Sequence, residues 1–158
     1  YYNQSIMTEI TIVDIFIRLG LAALLGMTMG IERILAHKTA GMRTYALVSM
    51  GASLFVIVSS LLVNQFYMIS GFNPAIMASS IISGVGFLCA GIIFHRDDKL
   101  IGITSAAALW VCAGVGMSVG YGYFELGIIA TVFVLFIFVV LWFIEQQIKK
   151  FPNPEDLS

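Results

Sequence analysis

Five long apolar runs dominate the chain, at residues 12–31, 42–63, 75–94, 101–119 and 124–144, and polar residues gather between them. A hydrocarbon core of ~30 Å needs about 20 helical residues at ~1.5 Å rise each, and every run meets that length. The pattern predicts an all-α integral membrane protein, a bundle of five transmembrane helices. Residues 1–11 form a segment ahead of the bundle, 12–144 the bundle itself and 145–158 a short tail. Residues 1–6 are expected to be foreign to the natural chain, with Met7 as its start.

The basic residues orient this bundle. Arg33, Lys38 and Arg43 lie between runs 1 and 2, Arg96 and Lys99 between runs 3 and 4, and Lys149 and Lys150 in the tail. The leader before Ile12, the 64–74 connection and the 120–123 turn carry no Lys or Arg. Cationic loops stay cytoplasmic, so the N-terminus is expected outside and the C-terminus in the cytoplasm. Composition agrees with a membrane chain: 59% hydrophobic and 11% charged, against ~25% charged in soluble proteins. The net charge of −1 gives no electrostatic case for nucleic acid. Cys89 and Cys112 both fall mid-run among apolar neighbours and read as small packing residues, not as a disulfide or metal pair.

The runs differ in side-chain size. Run 1 has Ala22, Gly26 and Gly30 at four-residue spacing. Run 3 sets Ser80, Gly84, Phe87 and Gly91 on one stripe, with Gly86 and Ala90 beside it. Run 4 keeps Gly102, Ala106, Leu109, Ala113, Gly116 and Gly120 on one face, and Gly41 precedes run 2. Helices in lipid associate through close packing, so small residues mark contact faces. These faces exceed what one short bundle readily buries on itself, and a homodimer is expected. Run 5 is bulky on every side after Gly127 and is expected at the periphery, largely facing lipid, with Trp142 near the inner interface; its bulky surface serves equally well as an oligomer contact. An offset of 61 residues aligns Gly30 with Gly91, Ile31 with Ile92, Lys38 with Lys99, Gly41 with Gly102, Ala46 with Ala107 and Ala52 with Ala113. The two hairpins therefore read as a parallel repeat about an axis along the membrane normal.

Ionisable groups within spans cost about 2.5–3.5 kcal/mol each at mid-helix, so each needs a reason. Asp14 and Arg18 are spaced i,i+4 with the acid first, which favours an ion pair. That pair reads as a lock on the outer end of the bundle, as an ion or ligand site, or as an arginine reaching the headgroups, with Glu125 a second possible partner. At the other end Glu32 leans back into the bilayer while Arg43 leans out of it, so the two are expected to meet across the turn. Arg33, Thr44 and Thr104 complete the polar candidates, Thr104 and Ser105 as local backbone partners. Arg43 has a plainer reading as a headgroup anchor. Residues 95–99 read as a solvated loop, with Asp97 and Asp98 a weak magnesium-seeking pair and His95 a surface residue. No nucleotide loop, zinc spacing or nucleophile motif is present, so neither an enzyme nor a bound cofactor is expected.

The strings Gly30-Ile31-Glu32-Arg33, Ala40-Gly41-Met42-Arg43-Thr44, Ser83-Gly84-Val85-Gly86-Phe87-Leu88-Cys89-Ala90-Gly91 and Gly102-Ile103-Thr104-Ser105-Ala106-Ala107-Ala108-Leu109-Trp110 resemble the MgtC/SapB family. Their order and spacing match across nearly all of residues 12–144. The family pattern has glycine at Cys89, histidine at Tyr45 and threonine at Ser105. Many members also carry a soluble domain after the fifth helix, where this chain has a tail too short to fold. The resemblance implies a multi-pass bacterial inner-membrane protein linked to adaptation to low magnesium and to survival in host cells. It implies a regulatory activity exerted through other membrane proteins; transport of Mg²⁺, H⁺ or phosphate is the competing expectation.

Overall fold

The computed structural model describes residues 10–38, 40–66, 74–96 and 99–148. Among these residues five helices appear: α1 (Ile12–Leu35), α2 (Met42–Phe66), α3 (Pro74–Ile92), α4 (Ile103–Gly120) and α5 (Phe124–Ile148). All five are long and apolar enough to cross a membrane. Between α3 and α4 the chain forms a small antiparallel hairpin, β1 (Phe94–Arg96) and β2 (Lys99–Ile101), where the sequence suggested only a loop. Phe94 thus leaves the third span, and α4 begins at Ile103, two residues later than its apolar run.

Local chemistry sets the ends of the helices. Thr11 and Asp14 form a capping box on α1: the Asp14 carboxylate accepts from the Thr11 amide and hydroxyl, and the Thr11 hydroxyl accepts from the Asp14 amide. At its other end α1 stops in a Schellman motif, with His37 N–H on the Ile34 carbonyl and Lys38 N–H on the Arg33 carbonyl. His37 takes the left-handed position of that motif, φ 54°, where glycine is usual. The α4–α5 turn uses the same device with Gly122 in the left-handed slot.

Central to the bundle are α2 and α4, packed on each other. α1 lies across both from one side, and α3 lies on α4 and, less closely, on α2. α5 fills the seat between α1 and α4 through Gly127, Thr131, Val134 and Phe138, leaving the rest of its bulky surface exposed. The buried face of α4 runs through Ser105, Ala106, Leu109, Cys112, Ala113, Gly116 and Gly120, close to the stripe read from its sequence.

The α1/α2/α4 seam is set by glycine. A Cβ on Gly116 would overlap the Ser49 carbonyl of α2, one on Gly26 the Tyr45 carbonyl, and one on Gly30 the backbone of Met42. Gly41 packs under Ile34, and Gly102, in the left-handed region at φ 95°, presses on the Ile92 carbonyl. Gly84, Gly86 and Gly91 behave otherwise: a Cβ on any of them would meet nothing within 4 Å. The α3 stripe, expected from its small residues to be a helix contact face, has nothing packed on these three glycines within this chain. It borders a groove of about 500 Å³ between α2 and α3, and a second of about 440 Å³ lies among α3, α4 and α5.

Candidate functional site

Polar groups concentrate at the two ends of the bundle. At one end lie the start of α1 and the α4–α5 turn. The Asp14–Arg18 pair expected from i,i+4 spacing does not form, because Asp14 is engaged by Thr11 in the capping box. Arg18 turns instead to α4, donating from Nη1 to the Gly120 carbonyl at 2.7 Å. The reason lies in the end of α4. Its last four carbonyls lack intrahelical partners, and in lipid each must be satisfied within the protein. Tyr121 N–H serves Met117 and Val119, Gly122 N–H also serves Val119, and Tyr123 N–H serves Ser118. Gly120 remains, and Arg18 supplies both the donor and a positive charge for the negative end of the helix dipole. Glu125 is exposed and takes no part.

The opposite, basic end is built around Arg33. This residue is only 4% exposed, yet it carries a charge. Its Nε donates to the carboxylate of the neighbouring Glu32 at 2.5 Å, the one ion pair among the described residues. Its guanidinium carbon stands 3.7 Å over the Phe138 ring of α5, a cation–π contact strengthened by desolvation. Arg33 Nη1 is buried without a hydrogen-bond partner among the described residues. Arg43 is exposed, so the expected Glu32–Arg43 contact is replaced by a pairing of adjacent residues. Once Arg33 is folded back under α5, the carboxylate nearest to it is that of Glu32.

Beside this end, Tyr45 is fully buried and donates from its hydroxyl to the Ser105 carbonyl of α4 at 3.0 Å. The Cys112 thiol donates to the Tyr45 carbonyl at 3.3 Å and the Cys89 thiol to the Ala106 carbonyl at 3.1 Å. Both cysteines are free, buried and used as packing residues with weak donors. Tyr45 therefore ties the first hairpin to the second, a role its sequence position did not declare. The one available signal was chemical: a tyrosine within a span must find a partner for its hydroxyl. Ser49, Ser53 and Ser59 on α2 are buried as well, and their hydroxyls have no partner among the described residues. Thr44 and Thr104 are exposed; His95 and Lys99 lie exposed on the hairpin. Asp97 and Asp98, the suggested magnesium pair, lie outside the described residues, as does Thr39. No group of three His, Cys, Asp or Glu comes together among the described residues.

The comparisons with known proteins converge on one family. The sequence profile of the MgtC family matches residues 19–147. A protein of Escherichia coli K12 named "Putative magnesium transporter YhiD" is 40% identical over 129 residues, covering 80% of this chain and 60% of that protein. "Protein MgtC" of Brucella abortus is 42% identical over 114 residues, covering 72% and 45%. "Protein SapB" of Bacillus subtilis is 34% identical over 128 residues, covering 77% and 54%. The chain thus spans about half the length of the curated relatives it matches. No solved structure matches it. The matched region takes in the Arg33 cluster, the central α2–α4 seam and all of α4. With its five spanning helices, this chain is a multi-pass bacterial inner-membrane protein and belongs to the MgtC family.

Proposed function

We propose that the chain is a regulatory membrane protein without enzymatic activity, acting by contact with other membrane proteins during adaptation to low magnesium or host stress. In this reading it is a homodimer with its basic end in the cytoplasm and its N-terminus outside. The supporting observation is the packing at the bundle centre. Gly26 and Gly116 bring α1 and α4 against the backbone of α2 from both sides, and Gly120 meets Ser53 one turn further on. Backbone in van der Waals contact at this depth leaves no room for a hydrated ion between those helices. Two grooves, one between α2 and α3 and one among α3, α4 and α5, have mostly apolar linings of the kind that suits lipid or a neighbouring helix.

Two observations favour the alternative of transport. The Escherichia coli relative is named a putative magnesium transporter, and the unpartnered Ser49, Ser53 and Ser59 hydroxyls lie along α2. The deciding experiment is flux. Pure protein in liposomes is expected to pass no Mg²⁺, H⁺ or phosphate above empty vesicles. Saturable flux by the protein alone overturns the regulatory reading.

A further inference from the structure

Exchanging one hairpin for the other relates two seats for a helix on this bundle, and the chain fills one of the two. α1 packs on its own partner α2 and on α4; α3 packs on its own partner α4 and on α2. Exchanging the two hairpins therefore carries the α1/α4 seat onto the α2/α3 groove. α5 occupies the first. The second is the groove of about 500 Å³, lined by Leu47, Gly51 and Phe55 from α2 and by Ser80, Gly84 and Leu88 from α3. Both of its glycines are open, since a Cβ on Gly51 or Gly84 would touch nothing within 4 Å.

We propose that this groove is the homodimer interface and that its occupant is α3 of a second copy, with Phe87 of each chain seated against the α2 wall of the other. The proposal rests on the homodimer reading above and names its surface. Self-complementarity selects the occupant. Phe87 is 80% exposed; it is outside the groove lining but follows the lining residue Gly84 by three positions, which at helical spacing sets it on the neighbouring face of α3. Knob and hole thus share one helix, so a single two-fold axis along the membrane normal satisfies both copies at once, as a closed isologous dimer requires. The α5 of a second copy does not meet this condition. α5 lies on the α1/α4 side, away from the groove, so each added copy would leave one groove and one α5 unsatisfied, and the assembly would not close by a two-fold axis.

The area available is of the right order. Phe87 and Phe55, 80% and 54% exposed, at ~200 Å² each present about 270 Å² per copy. Specific complexes bury about 800 Å² per partner, and Leu47 and Leu88 in the groove lining and Ile76 elsewhere on α3 are each more than half exposed. Glycine at positions 51, 84 and 91 lets the second backbone approach closely, which is how helices gain contact when lipid offers no hydrophobic drive.

The test is disulfide trapping in liposomes of pure protein across a lipid-dilution series. The parent chain, whose Cys89 and Cys112 are buried, supplies the background. Ser80→Cys and Gly91→Cys are expected to give covalent dimers that persist on dilution, whereas Phe16→Cys on α1 and Phe133→Cys on α5 give none. Adding Gly51→Leu and Gly84→Leu to the Ser80→Cys chain should weaken association about tenfold or more, by overpacking the interface. Its unfolding midpoint should be unchanged, because neither new side chain meets the fold. Trapping at Phe16 or Phe133 with silence on α3 overturns the proposal. So does silence everywhere, which assigns the groove to lipid, and so does trapping only to a different protein in native membranes. Counting photobleaching steps separates the two claims. Dimers without α3 trapping sink the interface and leave the homodimer standing, whereas monomers sink both. Flux and growth do not enter either readout.

Discussion

α1 and α3 open the two hairpins, and both carry glycines at helical spacing, yet they meet opposite environments. Gly26 and Gly30 of α1 press against the backbone of α2, while Gly84, Gly86 and Gly91 of α3 face open space. α1 needs Gly26 and Gly30 to pack on α2. α3 keeps glycines that folding of this chain does not use. A small-residue stripe thus states that a backbone can come close, and not which backbone comes.

The sharpest way to break this comparison is to add bulk on each side of it. Gly26→Leu forces a side chain into the Tyr45 carbonyl of α2, where no flexible group can give way. Overpacking typically costs 1–3 kcal/mol, and a collision with backbone should reach at least about 3 kcal/mol or abolish membrane accumulation. Gly84→Leu should leave the unfolding midpoint in mild detergent unchanged. Equal stability of the two variants would erase the distinction between a closed and an open glycine face.

A second contrast sets the buried Arg33 against Arg18 at the other end. Arg33→Met leaves Glu32, itself 21% exposed, without its cation, and breaking a buried pair costs about 3–5 kcal/mol. Partial exposure of the acid places the expected loss near the lower figure, about 3 kcal/mol. Glu32→Gln combined with Arg33→Met should recover most of it, since the pair as a whole carries its own desolvation cost. A double variant no more stable than Arg33→Met alone would show that the stacking on Phe138, and not the charge pair, is what matters. Arg18→Ala should cost less, about 2 kcal/mol, the value of a charge-assisted hydrogen bond to a carbonyl. Its signature is local: faster amide exchange at Tyr121, Gly122 and Tyr123 than in the rest of the bundle.

Most of the architecture was legible because lipid imposes it. A run of ~20 apolar residues has few ways to satisfy its backbone other than as a spanning helix, and the small face read on the fourth run is close to the face that α4 buries. Less legible was the choice of partner. Asp14 and Arg18 have ideal ion-pair spacing, but the backbone donors at the start of α1 and the orphan carbonyl at the end of α4 took one side chain each. Sequence spacing cannot rank a side-chain partner on the same helix against a backbone partner 102 residues away. Arg43 and Glu32 failed to meet for a related reason: the Phe138 ring that holds Arg33 in place lies more than a hundred residues further along the chain. The hairpin escaped notice because each strand has only three residues, too few to show a period of two.

The smallest effect is expected on that hairpin. In its register Arg96 lies opposite Lys99, His95 opposite Leu100 and Phe94 opposite Ile101. Like charges at directly opposed positions are unfavourable, whereas opposite charges there contribute roughly 0.2–1 kcal/mol. Lys99 is exposed, so water screens most of either effect. Lys99→Ala should therefore be silent within about 0.5 kcal/mol, and Lys99→Glu should stabilise the hairpin by a few tenths of a kcal/mol at most. Both variants should accumulate in membranes and support low-magnesium growth like the parent, while Arg33→Met does not. Loss of growth in Lys99→Ala at normal abundance would move the functional site from the buried Arg33 cluster to the exposed hairpin, and the basic end would then act through its surface instead of its core.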